Sequence, residues 1–389
     1  MDDFEVKLAL ATDPRQRDLL GALGLVVNSK GETLYQHVAG YQNLALDAAP
    51  LDPDSTLFMA SAGKFLTHIA ALVLVEREHI GIDESVYRLL PELEKLRVIS
   101  PSTDEAAKFT LRPAQTIITL RHMLTHSSGI GSGEDSLTEL WRQAIPAQEF
   151  PEGTPPIVKL FSTPLLSDPG EGWHYGHSIH WLQLLIARAC GIPFVQCMQE
   201  LIFDPLGLNH TTYTSRLRPD VSGKLLQCVE RKEDGSLGIP EPEKALQGLV
   251  MSVTDMKAVL VDLIGPKSKL LTQKHVNLLF EPAFEHSSAA LQTILKDEDT
   301  FAKTIGLAVD KRPAINFTCA GGLVTEEPVW ATCLPAKTLT WNGWPNLIWT
   351  MNRERGIATL FATQLIPVDD EKALLHMTRF LKSAWIKFG

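Results

Sequence analysis

The chain has 389 residues, 44% of them apolar and 21% charged, enough for a large core or for two lobes sharing a cleft. A formal net charge of −10 without a clustered Lys/Arg stripe argues against a nucleic-acid partner. The 5 cysteines fall at irregular intervals with no CxxC pair, so neither a zinc site nor a disulfide framework is expected.

In chain order, Met1-Asp2-Asp3-Phe4-Glu5 lacks the basic and apolar regions of a secretory signal. The longest apolar runs, such as Ile69–Val75, are too short for a bilayer span, so a cytoplasmic protein with no membrane partner is expected. Leu23–Val27 and Thr33–Val38, joined by the turn residues Asn28–Glu32, predict a β-hairpin. Gly63–Glu78 predicts a buried helix, and shorter helices are predicted at Thr119–Thr125, Ser178–Ala189, Pro193–Leu201, Thr254–Leu263 and Thr272–Leu279. Thr338–Trp341, Leu347–Met351 and Ile357–Thr363 predict antiparallel strands. A stripe of Leu374, Leu375, Met377, Phe380, Leu381 and Trp385 predicts a C-terminal helix. The expected fold class is α/β in the α+β sense, a mainly antiparallel sheet flanked by helices plus a largely helical lobe. Residues 1–60 and 295–389 are expected to build the sheet lobe and residues 61–294 the helical lobe, with a site in the cleft between them.

The first chemical motif is Ser61-Ala62-Gly63-Lys64. Positions i and i+3 of a helix share a face, so the Ser61 hydroxyl and the Lys64 amine can meet. A serine hydroxyl needs a neighbour to take its proton before it attacks, and a helix N-terminus favours negative charge that develops there. The same four residues also describe an N-cap serine beside a solvated lysine. Two further segments stand downstream: Pro169-Gly170-Glu171-Gly172-Trp173-His174-Tyr175-Gly176-His177, and Trp341-Asn342-Gly343.

Together, in this order, the three motifs resemble the superfamily of class C β-lactamases, D-alanyl-D-alanine peptidases and family VIII carboxylesterases, whose fold is β-lactamase/transpeptidase-like. The resemblance runs from about residue 20 to the C-terminus. It is closest to the fungal secondary-metabolite acyltransferases, such as the one that attaches the lovastatin side chain, through Tyr175-Gly176, Trp181 and Pro345-Asn346-Leu347-Ile348-Trp349. It implies Ser61 as nucleophile, Tyr175 as general base assisted by Lys64, and an oxyanion hole of the Ser61 and Trp344 backbone N–H groups. It also implies substrate contacts from His177, Trp341, Asn342, Gly343 and Trp344, with Trp349 a further candidate for the pocket wall. No metal or organic cofactor is required. His126 reads as a hydrogen-bonded structural histidine.

This sequence departs from the family at two positions. His177 stands where the family has Asn, and Ser132 stands where the fungal pattern carries an aromatic residue. The expected function is acyl transfer from a small-molecule ester or thioester, with an acyl carrier protein as a possible donor, to the hydroxyl of a hydrophobic alcohol. The alternative is a carboxylesterase using water. A β-lactamase ranks below it because two of that family's motifs are altered, and a non-acylating pocket protein would not need all three catalytic residues.

Overall fold

The computed structural model describes residues 1–389 except 105–106, 146–148, 242–247, 297–314 and 327–331. The last two of these ranges fall within the C-terminal part of the expected sheet lobe.

Seven strands form the central sheet: β1 Gly21–Asn28, β2 Thr33–Gly40, β3 Ile315–Phe317, β4 Gly322–Val324, β5 Leu339–Gly343, β6 Leu347–Asn352 and β7 Ile357–Ala362. Their order is β3-β4-β5-β6-β7-β1-β2, and every adjacent pair is antiparallel. The two ends of the chain meet where Leu23 of β1 pairs with Ala362 of β7. Every residue of β6 and β7 is buried, which is why both read as unbroken apolar runs rather than alternating ones.

Six helices frame the sheet and the site: α1 Asp2–Ala11, α2 Lys64–Glu76, α3 Leu120–Leu124, α4 Ser178–Cys190, α5 Val253–Ile264 and α6 Glu371–Phe388. Helices α1 and α6 pack on each other, and α6 packs on the sheet at β7. Of the predicted C-terminal stripe, Met377, Phe380, Leu381 and Trp385 are buried, with Phe380 5.4 Å from the Phe4 ring and 5.8 Å from Phe361, whereas Leu375 is exposed. Helix α5 lies against β1, β6 and β7, although the sequence boundary leaves it in the helical lobe. Helix α2 has Phe65 through Leu74 all buried and packs on α4. A helix apolar around its whole circumference has to sit inside the molecule. A small antiparallel sheet of Thr56–Phe58, Val250–Ser252 and Thr211–Thr212, not predicted from sequence, leads the chain into α2. Among the described residues no single helix is long and apolar enough to cross a membrane.

Phe380 seats α6 on β1 at Gly24, where an added Cβ would lie 2.5 Å from the ring. Gly24→Ala is expected to lower stability to unfolding by about 1–3 kcal/mol through overpacking, read as a lower urea midpoint. Adding Phe380→Leu to Gly24→Ala should recover part of that loss, which separates crowding from a change in strand propensity.

Candidate active site

Three contacts fix the turn that carries Ser61. Met59 N–H donates to the Leu249 carbonyl at 2.9 Å, closing the small sheet onto the turn. Ala60 then takes a left-handed backbone with φ +45°, at a cost of about 1 kcal/mol, and reverses the chain into the 3₁₀ turn Ala60–Gly63 that opens α2. Trp349 Nε1 donates to the Ala62 carbonyl at 2.8 Å, and its ring lies 4.7 Å from Phe65. Trp349 is 0% exposed, so it ties the Ser61 turn to the sheet and does not line a pocket as the sequence suggests. From the other side β5 presses on the turn through Gly343. A Cβ there would lie 2.5 Å from the Met59 carbonyl oxygen, so only glycine permits this approach.

The polar groups converge one turn further along. Lys64 Nζ donates to Ser61 Oγ at 2.8 Å and to Tyr175 Oη at 2.7 Å, and lies 4.5 Å from the centre of the Tyr175 ring. Trp341 Nε1 donates to the same phenolic oxygen at 3.2 Å. Tyr175 Oη thus accepts from an ammonium and from an indole N–H. The Trp341 contact gives this residue a partner that sequence reasoning does not foresee. The motif implies a substrate contact at Trp341, whereas its ring is buried against Tyr175 at 5.2 Å.

Tyr175 sits in a loop held by the passage after α3. His174 N–H donates to the His126 carbonyl at 2.8 Å, and His177 N–H donates to the Gly131 carbonyl at 3.1 Å. Ser128 Oγ meets Ser178 Oγ at 2.8 Å. The two loops cross so closely that a Cβ on Gly176 would lie 2.2 Å from the Gly131 carbonyl carbon. The His126 ring, 1% exposed, packs 4.7 Å from Tyr175 and 5.9 Å from His68. Its Nδ1 has no hydrogen-bond partner among the described residues, and the ring is packed against its aromatic neighbours. His68, one turn after Lys64, donates from Nδ1 to the Cys319 carbonyl at 3.0 Å. Burial holds His126 well below the ordinary histidine range and lowers His68 from 6.5 to about 4, and the charge of Lys64 adds to both. Two neutral imidazoles therefore pack behind the lysine and the tyrosine.

The remaining sequence candidates are spread around this centre. Trp344 is half-buried in the turn after β5. Asn342 is half-buried, and the pleat turns it to the face opposite Trp341 and Gly343. The His177 ring stacks on Phe161 at 4.0 Å, and the backbone N–H of His177 donates to Gly131, the residue before Ser132, the other position that departs from the family pattern. Burial lowers the pKa of His177, with a further contribution from Lys64. Beside Ser61 and Lys64 opens a cavity of ≈ 480 Å³ that Phe58, Ile179, His180, Gln183 and Tyr213 help to line. Sequence reasoning misses all five. On the chain they look like ordinary helix and loop residues, and long-range packing alone brings them to the serine.

The sheet with its helical partner, together with a serine, a lysine one turn on and a tyrosine sharing that lysine, defines a class. The chain belongs to the Beta-lactamase family, whose model matches residues 9–378. It is 30% identical over 373 residues to the acyltransferase calJ of Penicillium decumbens, covering 92% of this chain and 87% of that protein. It is 29% identical to the lovastatin esterase of Penicillium rubens, covering 90% of each. The unliganded structure of simvastatin synthase (LovD) from Aspergillus terreus superposes with a TM-score of 0.86 at 27% identity, covering 100% of this chain and 98% of that one.

The geometry sets two expected outcomes. Gly343→Ala should push β5 off the Ser61 turn and slow covalent labelling of the protein by an activated ester on the order of a hundredfold, as an ångström-scale misplacement does. Intact-mass time courses measure it, with circular dichroism to check the fold. The second outcome concerns acid. The folded chain keeps His68 neutral down to about 4 whereas an open chain protonates it near 6.5, so the unfolded state binds more protons between those values. Stability should be intact above about pH 6.5 and fall by about 3 kcal/mol from this residue as pH drops to about 4. Urea midpoints across that range, compared with His68→Asn, should show a shallower fall in the variant.

Proposed function

We propose that this chain is a serine acyltransferase that forms an acyl-enzyme on Ser61 and passes the acyl group to a hydroxyl of a hydrophobic small molecule. The observation that carries the reading is the Lys64 ammonium shared between Ser61 Oγ and Tyr175 Oη, with Trp341 donating to the same phenolic oxygen. Tyr175, as phenolate or through a proton shared with Lys64, is the base: the Ser61 proton passes to Oη as Oγ bonds the carbonyl carbon of an ester or thioester. The backbone N–H groups of Ser61 and Trp344 take the oxyanion. The carbon–sulfur or carbon–oxygen bond then breaks, and the leaving group takes the proton back from Tyr175. In the second half the acceptor hydroxyl gives its proton to Tyr175 and attacks the acyl carbon; the bond from that carbon to Ser61 Oγ breaks, and Oγ takes the proton back from Tyr175. The donor is a small ester or thioester, with an acyl carrier protein as one form of it.

Trp341 and Gly343 belong to the sheet lobe of residues 1–60 and 295–389, to which α5 is added on its contacts. Ser61, Lys64 and Tyr175 belong to the helical lobe formed by the rest of 61–294, so the reaction runs where the lobes meet. Similarity to an acyltransferase supports transfer, and similarity to an esterase keeps hydrolysis as the second reading.

Intact mass after incubation with an acyl thioester should show one added acyl group, absent in Ser61→Ala. Tyr175→Phe should slow its formation by at least about a hundredfold. A panel of hydrophobic alcohols supplied with the donor should yield ester in excess of free acid. Free acid alone across the panel, formed at a good rate, assigns the chain to the carboxylesterases.

A further inference from the structure

The cavity beside Ser61 has a lining that acyl transfer by itself does not account for. It begins at Ser61 and Lys64, yet neither Tyr175 nor Trp341 is among the residues that line it. An acceptor hydroxyl must reach Tyr175 Oη to lose its proton, so the acceptor enters from the tyrosine side. The acyl group carried by Ser61 is left with the cavity.

Part of the wall is apolar, with Phe58, Ile179 and Leu249 buried around it. Another part is polar and, among the described residues other than Lys64, uncharged. His180 and Gln183 come from adjacent turns of α4, and Tyr213 joins them from the chain after the helix. These groups are held in place. His180 stacks on Phe161 at 4.6 Å with the planes 13° apart, and Tyr213 packs edge-on to Phe194 at 5.3 Å and stacks on Phe203 at 6.3 Å. Burial lowers His180 to about 4 and raises the Tyr213 phenol, so both are neutral at ordinary pH. Among the described lining residues the charged one is Lys64, and its ammonium is already shared by Ser61 and Tyr175.

We infer that this cavity is an acyl subsite built for an acyl group that carries an uncharged hydrogen-bonding substituent, a hydroxyl or a ketone. An unsubstituted hydrocarbon chain would displace water from the imidazole, carboxamide and phenol and leave them without partners. A chain ending in a carboxylate would find no free countercharge among the described lining residues. The inference rests on the acyl-transfer reading and adds to it the class of donor.

The test uses the full chain and three N-acetylcysteamine thioesters: hexanoyl, a set of hydroxyhexanoyl isomers, and adipoyl. Acyl-enzyme formation is followed by intact mass. The best hydroxyhexanoyl isomer is expected to acylate about tenfold faster than hexanoyl, and adipoyl slowest. Gln183→Met, similar in length but without the amide, and His180→Phe, which keeps the stack on Phe161, should each bring the hydroxyhexanoyl to hexanoyl ratio down towards one. The ratio is read within each protein, so partial loss of folded material cancels. Equal rates in the unmodified chain, adipoyl matching hydroxyhexanoyl, or a ratio that neither variant moves would overturn the subsite and leave acyl transfer standing. No acyl-enzyme from any donor would overturn the acyl-transfer reading and the subsite with it.

Discussion

An ammonium 2.8 Å from one hydroxyl and 2.7 Å from another influences their protons only if water is kept from taking its place. Most of the architecture around the site serves that enclosure. Helix α2 is buried on all sides, so Lys64 emerges from an apolar rod with its head group as the polar feature at that level. The imidazoles of His68 and His126 close off the space behind it, and burial keeps both neutral. A protonated histidine at either position would repel the ammonium and compete for the phenolic oxygen. In this arrangement the lysine is the local cation, and the tyrosine and serine oxygens are its acceptors.

Holding three side chains from distant parts of the sequence to hydrogen-bond tolerance requires backbones that nearly touch. Two glycines mark where this happens. At Gly343 the sheet meets the Ser61 turn, and at Gly176 the tyrosine loop crosses the segment after His126. Both contacts are too short for any side chain, so position is set by main chain on main chain, which is stiffer than packing between flexible side chains. Trp349 adds a directional tether to the first of these contacts and the paired serines Ser128 and Ser178 add one to the second. The strained Ala60 is tolerated because the turn is held on both flanks.

Much of this is legible in the sequence, for reasons that differ from residue to residue. The pairing of Ser61 with Lys64 follows from helical spacing, and the strands and the C-terminal helix follow from hydrophobic period. Tyr175 and Trp341 carry no such local signal, and only the likeness of whole motifs to a known family singles them out. That likeness marks Trp341 as a ring near substrate, whereas its indole N–H acts on the tyrosine. Trp349 is mistaken for pocket wall because strand alternation tells which residues share a face and not which face is buried. The small sheet at Thr56–Phe58 escapes notice because strands of two or three residues leave no periodicity to read. His180, Gln183 and Tyr213 escape because a cavity wall is assembled from helix and loop residues that look ordinary one at a time.

The hydrogen bond from Trp349 to Ala62 joins residues 287 apart along the chain, and β1 waits for β7 before it has a partner on that edge. A chain emerging from the ribosome exposes the serine segment early and the tryptophan that braces it near the end. The helices that follow Ser61 are made long before the sheet can close, since the sheet needs the strands from residue 315 onward. Ser61 thus gains its final geometry only once those later strands exist. A truncated or half-made copy would hold Ser61 and Lys64 without the brace that sets them, so fragments of this chain are poor starting material for an acyl-transfer catalyst.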